Sequence, residues 1–132
     1  MKDGIEVKLM GAFAEEFSIP ETDLCVILTN AVSNAYEAAR RYTEHRFVEI
    51  IFTHYRGTQF VIVRNSSPDC LEIEDGRICP GYTSKPEKEF HGFGIQNICD
   101  AVERNGGVVR WSSEPQGNQY QVTVEIQLPL TE

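Results

Sequence analysis

The stretch from Leu28 to Ala39 reads LTNAVSNAYEAA, and its spacing governs how the rest of the chain is read. At about 100° per residue, Asn30, Asn34 and Glu37 fall within an arc of roughly 60° on a helix. Leu24, Ile27, Leu28, Ala31, Ala35, Ala38 and Ala39 occupy the adjoining arc, so the polar stripe borders the core-facing side. Asn is a mediocre helix former, and two of them one turn apart beside the apolar face contribute nothing obvious to packing. Amide oxygens and a carboxylate in a row suit a hard cation such as Mg²⁺, which keeps several waters and takes its other ligands from phosphates. The plain alternative is a pair of solvated or capping asparagines.

Outward from this stretch, Pro20 suits a first helical position, Glu21 and Asp23 favour the positive end of a helix dipole, and nothing interrupts the run to Arg41. Before it, Ile5, Val7 and Leu9 alternate with polar neighbours as in a half-buried strand, and the pattern breaks at Gly11. After it, Phe47 to Tyr55 and Gln59 to Asn65 read as a hairpin across Arg56-Gly57-Thr58. From Ser66 to Phe90 the chain carries Pro68, Gly76, Pro80, Gly81 and Pro86 with no sustained period. Segments of that length are functional lids or binding loops more often than plain connections, so this one is a candidate lid. Ile95, Ile98, Cys99 and Val102 then keep one helical face up to Asn105-Gly106-Gly107. A closing hairpin follows, Val108 to Ser112 and then Tyr120, Val122, Val124 and Ile126, through a polar turn at Pro115 to Asn118, with Pro129 as its end. Strands joined by short turns are antiparallel and strands separated by a helix pair either way. A mixed, mostly antiparallel sheet with both helices on one face is therefore the economical arrangement. The expected fold class is a two-layer α/β sandwich, with residues 1–132 as a single domain.

Composition sets the outer limits. The 132 residues carry 12 basic and 20 acidic side chains, a formal charge of −8, which argues against a polyanion binder and leaves nucleic acid off the list of expected partners. Hydrophobic content of 41% with 24% charged residues is that of a globular domain, and no apolar run approaches the roughly 18 residues of a spanning helix. Membrane contact by this chain is accordingly not expected. The cysteines, Cys25, Cys70, Cys79 and Cys99, form no CxxC pair, and the N-terminus lacks a signal-peptide pattern, so reduced cytoplasmic thiols are the expected state. Cys25 and Cys99 fall on the apolar faces of the helices, where Cys acts as a small hydrophobe. Cys70, Cys79 and His91 match no common zinc spacing.

A second feature is His91-Gly92-Phe93-Gly94, placed by this reading at the junction of the long loop and the second helix. Glycines there let a backbone approach a ligand, and free amides at a helix N-terminus form an anion site suited to phosphate. Neither a P-loop nor a Rossmann fingerprint occurs, so a phosphate site here is of another kind.

LTNAVSNAYEAA, the strand end VIVRNSS, TSKPEKEFHGFGIQNI and a C-terminal hairpin ending in QLP follow one another in the order found in sensor histidine kinases. From about Ile5 to Pro129 the chain resembles their ATP-binding catalytic domain, in the superfamily of gyrase, chaperone ATPases and MutL. More narrowly it resembles the Agr-type quorum-sensing receptor kinases. The resemblance implies the Bergerat fold, with a lid over about residues 66–93 and the cofactors ATP and Mg²⁺. On this resemblance Asn34 is similar to the N-box asparagine that ligates Mg²⁺, Asn30 matches the upstream N-box position, and Glu37 follows the NAxEA pattern, with Asn30 or Glu37 reaching the metal through water. Gly92 and Gly94 match glycines whose amides hold phosphate, His91 adjoins them, and Ser84 and Lys85 belong to the TSK segment of the lid with Lys85 a phosphate contact. Asn65 stands where relatives place an adenine-binding Asp, and its amide oxygen accepts the same bond more weakly.

Hydrolases of the superfamily, and its anti-sigma serine kinases, typically carry Glu at the position of Asn30. Asn cannot serve as a general base near neutral pH, so hydrolysis is expected to be slow. The resemblance thus implies a protein histidine kinase catalytic domain with no catalytic residue assigned. It would pass the γ-phosphate to a histidine in a dimerisation domain outside this chain, and so indirectly to a response regulator. None of the three histidines, His45, His54 and His91, lies in a phosphoacceptor context. The implied location is a cytoplasmic domain of a membrane-bound parent. The competing readings are a non-catalytic nucleotide-binding regulatory module, a stand-alone anti-sigma-type serine or threonine kinase, and a small α/β domain in which the asparagines and glycines are structural.

Overall fold

The computed structural model describes residues 4–15, 17–41, 45–70, 73–74, 77–78 and 88–130. In chain order the elements are β1 (Glu6–Gly11), α1 (Glu21–Arg40), β2 (Phe47–Tyr55), β3 (Thr58–Ser67), β4 (Ile73–Glu74), β5 (Arg77–Ile78), α2 (Lys88–Arg104), β6 (Val108–Gln116) and β7 (Gln119–Pro129). β1, β2, β3, β7 and β6 lie in that order in a five-stranded sheet, and β4 and β5 form a separate pair. β1 runs parallel to β2, a pairing that the intervening α1 permits. The short-turn neighbours β2–β3 and β6–β7, and the central pair β3–β7, are antiparallel. This is the mixed α/β sandwich that the element order implied.

Each boundary has a local cause. Pro20, at φ −54° and ψ 135°, stands just before α1 as its N-cap, with Glu21 and Asp23 in the first turn and Arg40 in the last. The acidic start and basic end both complement the helix dipole. The β2–β3 turn places Arg56 and Gly57 at φ 49° and 80°, the paired positive φ values of a type I′ turn that matches strand twist. α2 ends in a Schellman motif: Gly107 N–H donates to the Val102 carbonyl (2.9 Å) and Gly106 N–H to Glu103 (3.0 Å), with Gly106 at φ 76°.

The core lies between the helices and one sheet face. Ile27, Ala31, Ala35 and Ala39 of α1 and Ile98, Ala101 and Val102 of α2 pack on Val61 and Val63 of β3, Val124, Ile126 and Leu128 of β7, and Trp111 of β6. The alanines at every fourth position let α1 sit close to the sheet, leaving the flanking asparagine stripe at the rim of that contact. Gln59, fully buried among these residues, is satisfied. Its oxygen accepts from Ala14 N–H (2.8 Å), and its nitrogen donates to the carbonyls of Thr53 (2.9 Å) and Phe60 (3.2 Å).

Several expectations need correction. β1 is a strand, but an exposed one along its whole length. Val7 and Leu9 share the helix-side face with Val48 and Ile50, yet both lie at the sheet edge beyond the cover of α1. Alternation finds a strand and does not say whether anything covers it. Ser66 and Ser67 continue β3, and α2 already begins at Lys88, so the connecting segment is shorter than the 66–93 expected and contains the β4–β5 pair. Cys25 is exposed, whereas Cys99 packs at the core margin. Pro115 lies in β6 and not in the turn, which an edge strand tolerates.

Candidate functional site

The site starts at the helix pair. Asn30 donates from Nδ2 to the Val26 carbonyl one turn back (2.8 Å), which fixes the amide and leaves Oδ1 directed away from its own helix. α2 crosses at that point with Gly94. A Cβ built on Gly94 would stand 3.1 Å from Asn30 Oδ1, 3.5 Å from Asn34 Oδ1 and 3.7 Å from Asn34 Nδ2. Gly94 is buried while both asparagines are half-buried. The absent side chain therefore leaves a small polar cradle between the helices, lined by two amide oxygens.

That donor set fits a hard cation. Both oxygens are neutral acceptors of the kind Mg²⁺ accepts, and among the described residues no cluster of three or more His, Cys, Asp or Glu side chains could hold a metal. A cation at this place would depend on amide oxygen, water and a ligand's own phosphates, which is the habit of Mg²⁺ and not of a site built from several carboxylates. Glu37 lies one turn beyond Asn34, with Oε2 3.8 Å from Arg40 Nη1.

Asn65 occupies the helix-side face of β3, in register with Val122 of β7, and is only 5% exposed. Its Nδ2 donates to the Ser66 carbonyl (2.9 Å), so Oδ1 is the side-chain atom left to accept from a ligand. The strand end around it is braced. Ser66 Oγ accepts from Phe47 N–H (3.0 Å), and Ser67 Oγ donates to the Asp69 carbonyl (2.9 Å) while accepting from Asp69 N–H (3.2 Å). Arg41 Nη1 then meets Asp69 Oδ2 at 2.9 Å, tying the end of α1 to the chain leaving β3. The sequence shows Arg40-Arg41 only as a basic spot; the pairing joins residues 28 apart, which no local spacing reveals.

The structure brings together Asn30, Asn34 and Gly94, and aligns Asn65 on the same layer. Gly92 and Gly94 lie in the second turn of α2, past the four N–H groups that a helix leaves unbonded. The expectation of free amides at the loop–helix junction is thus corrected: here Gly94 contributes space, not a donor. Ser84 and Lys85, like most of the TSK segment and the side chain of His91, lie outside the described residues.

A second polar contact closes the far end of the helix pair. Arg104 Nη2 donates to Asp23 Oδ1 (2.7 Å), and Asn105 Nδ2 donates to Asp23 Oδ2 (2.9 Å) and to the Ala101 carbonyl (2.8 Å). The Arg104 hydrogen bond, followed by that of Asn105, holds the Asp23 carboxyl below its ordinary value, and Asp23 in turn raises Arg104.

The helices lie on a mixed sheet, with the asparagines of α1 facing a glycine of α2. The family described as the GHKL domain matches residues 20–129, and the chain belongs to it. Among solved structures it is similar to a mycobacterial sensor histidine kinase, MprB, with a TM-score of 0.78 at 16% identity, covering 98% of this chain and 85% of that one. The catalytic domain of histidine kinase ThkA in a nucleotide-free form gives 0.73 at 23% identity, covering 98% and 82%. Full-length ShkA in complex with AMPPNP gives 0.69 at 19% identity, covering 98% of this chain and 26% of that protein. At these identities the structural likeness establishes the fold. No curated protein matches the chain. Among the described residues no helix is long and apolar enough to cross a membrane.

Proposed function

We propose that this GHKL domain binds Mg-ATP as the catalytic domain of a two-component sensor histidine kinase, close to the Agr-type receptor kinases. The observation that supports the reading is the close approach of Gly94, a position with no side chain, to Asn30 Oδ1 and Asn34 Oδ1. In this reading Asn34 is the metal ligand, and Asn30 or Glu37 acts through water. Asn65 Oδ1 accepts from the exocyclic amine of the base. Ser84, Lys85, His91 and Gly92 face the phosphates from the lid side; Gly92 or Gly94 could donate amides only after the first turns of α2 open.

Bound Mg²⁺ would neutralise phosphate charge, the main requirement of phosphoryl transfer together with alignment of the acceptor. The chain's own residues orient the nucleotide, and position 30, an amide, supplies no base for water. The γ-phosphate is thereby kept for a histidine in a dimerisation domain of the parent protein, and reaches a response regulator from there. The parent's place in the cell membrane is part of the same proposal.

Calorimetric titration with ADP and a non-hydrolysable ATP analogue, with and without Mg²⁺, tests the binding step. Saturable Mg²⁺-dependent binding that is lost in Asn34→Ala is expected; binding unaltered by that change would remove the site assignment. A second reading, a nucleotide-binding module without transfer, is favoured by the helical state of Gly92 and Gly94 and by Asn65 in place of a carboxylate. Phosphate transfer to a supplied cognate histidine domain separates the two.

A further inference from the structure

The edge strand β1 has features that nucleotide binding does not use. Val7 is 54% exposed, Leu9 68% and Met10 43%, the three apolar side chains of a strand that borders the sheet on one side only. Glu6 N–H donates to the Arg46 carbonyl (3.0 Å), and the parallel register pairs Glu6 with Phe47. The backbone groups of Glu6, Lys8 and Met10 therefore face β2, and those of Val7, Leu9 and Gly11 face outward, paired with no strand among the described residues. β1 contains no proline and no bulge, the usual devices that blunt an edge. Its one protective feature is the alternation of Glu6 and Lys8 with Val7 and Leu9.

Antiparallel pairing of β1 with a second copy must place outward-facing residues opposite one another, which leaves few registers. Centring on Leu9 puts Lys8 opposite Met10. Setting Val7 opposite Leu9 puts Lys8 opposite Lys8. Only centring on Val7 places Glu6 opposite Lys8, twice by symmetry, with Leu9 beside Ile5. Opposite charges directly across a strand pair stabilise it and like charges oppose it. We propose that β1 is a self-association edge, on which a second copy of this chain pairs antiparallel about Val7, and that Glu6 and Lys8 select this register.

In that arrangement the two-fold axis joins two sheets and buries Val7 and Leu9 on the helix-side face, the surface that α1 leaves uncovered. Glu6 Oε1 meets His45 Nε2 at 3.1 Å, and its other oxygen serves the second copy's Lys8. The opposite edge, β6, carries Pro115 and an exposed Arg110, so growth beyond two copies is blocked and the association closes as an isologous dimer. A contact of one short strand pair falls below the roughly 1,200 Å² of standard interfaces, so it is weak.

Sedimentation equilibrium of the chain between about 10 µM and 1 mM, a range that spans weak dissociation constants, reads this directly. The wild type is expected to pass reversibly from monomer to dimer. Glu6→Lys and Lys8→Glu are each expected to raise the dimer dissociation constant at least tenfold, and the double exchange Glu6→Lys/Lys8→Glu to restore it. Val7→Pro removes an outward N–H without touching the β1–β2 ladder, and is expected to leave a folded monomer. A wild type that stays monomeric at the highest concentration, or single reversals that leave the dimer intact, or a double exchange that fails to restore it, would overturn the proposal.

Discussion

The two ends of the α1–α2 contact are both polar, and they differ in what their polar groups do. At one end Asp23 is closed by Arg104 and Asn105, so the carboxylate oxygens meet donors from the neighbouring helix. At the other end Asn30 and Asn34 face Gly94, a residue with no side chain to offer. Groups that satisfy each other hold two helices in place. Amide groups set against a glycine lie where a side chain would otherwise stand. The same helix pair thus has a clamp and a cradle, and the proposed nucleotide site rests on the cradle.

Emptying the cradle of its donor gives the largest expected effect. Asn34→Ala should weaken Mg²⁺-dependent nucleotide binding by about thirtyfold or more, about 2 kcal/mol, with an unchanged far-UV spectrum and melting temperature. Filling the cradle comes next. Gly94→Ala puts a methyl 3.1 Å from Asn30 Oδ1 and should cost about tenfold in affinity, while the helix gains about 0.5 to 1 kcal/mol in propensity from losing a glycine. The methyl also crowds Asn30, which must shift by a few tenths of an ångström, so calorimetry should show weaker binding while thermal melts show a change in stability smaller than the propensity gain. A melting temperature that falls with affinity unchanged would mean that Gly94 serves packing alone.

The clamp should behave in the opposite sense. Arg104→Ala should lower the melting temperature by a few degrees and leave nucleotide affinity within twofold of wild type, because an exposed pair contributes modestly. Its pH dependence has a definite sign. The folded Asp23 titrates below its ordinary value of 3.8, so its contribution is complete above that value and is lost as the pH falls through the lower, folded one. Thermal melts from pH 6 down should accordingly show the gap between wild type and Arg104→Ala narrowing only below about pH 4. Smallest of all, Arg41→Ala should loosen the chain beyond β3 by releasing Asp69, read as faster amide exchange at Ser67, Asp69 and Cys70 with little change in global stability.

Much of the fold was legible because its signals are local. The helix of α1 follows from Ile27, Ala31 and Ala35 at helical spacing, and the β2–β3 hairpin from two β-rich runs around Arg56-Gly57. The asparagine stripe was legible too, since Asn30 and Asn34 share a helix face by geometry alone. What could not be read was anything set by an element arriving from elsewhere. The placement of Gly94 inside α2, and its approach to Asn30, depends on where that helix begins and how it crosses α1. Cys25 falls on the apolar face of α1 by its position, yet among the described residues it is exposed. β1 showed the period of a half-buried strand, but whether Val7 and Leu9 are covered depends on how far the helix layer extends.

The sequence by itself determined the order of the main strands and helices, the mixed sheet, the acidic balance and the residue types of the candidate site, because periodicity, turn chemistry and composition act over a few residues at a time. Tertiary structure alone decided that Gly94 faces the asparagines, that Asp23 meets Arg104, and that β1 has a free edge. Each of these joins segments distant along the chain, and contacts of that kind are fixed by the packing of whole elements, which no short window of sequence contains.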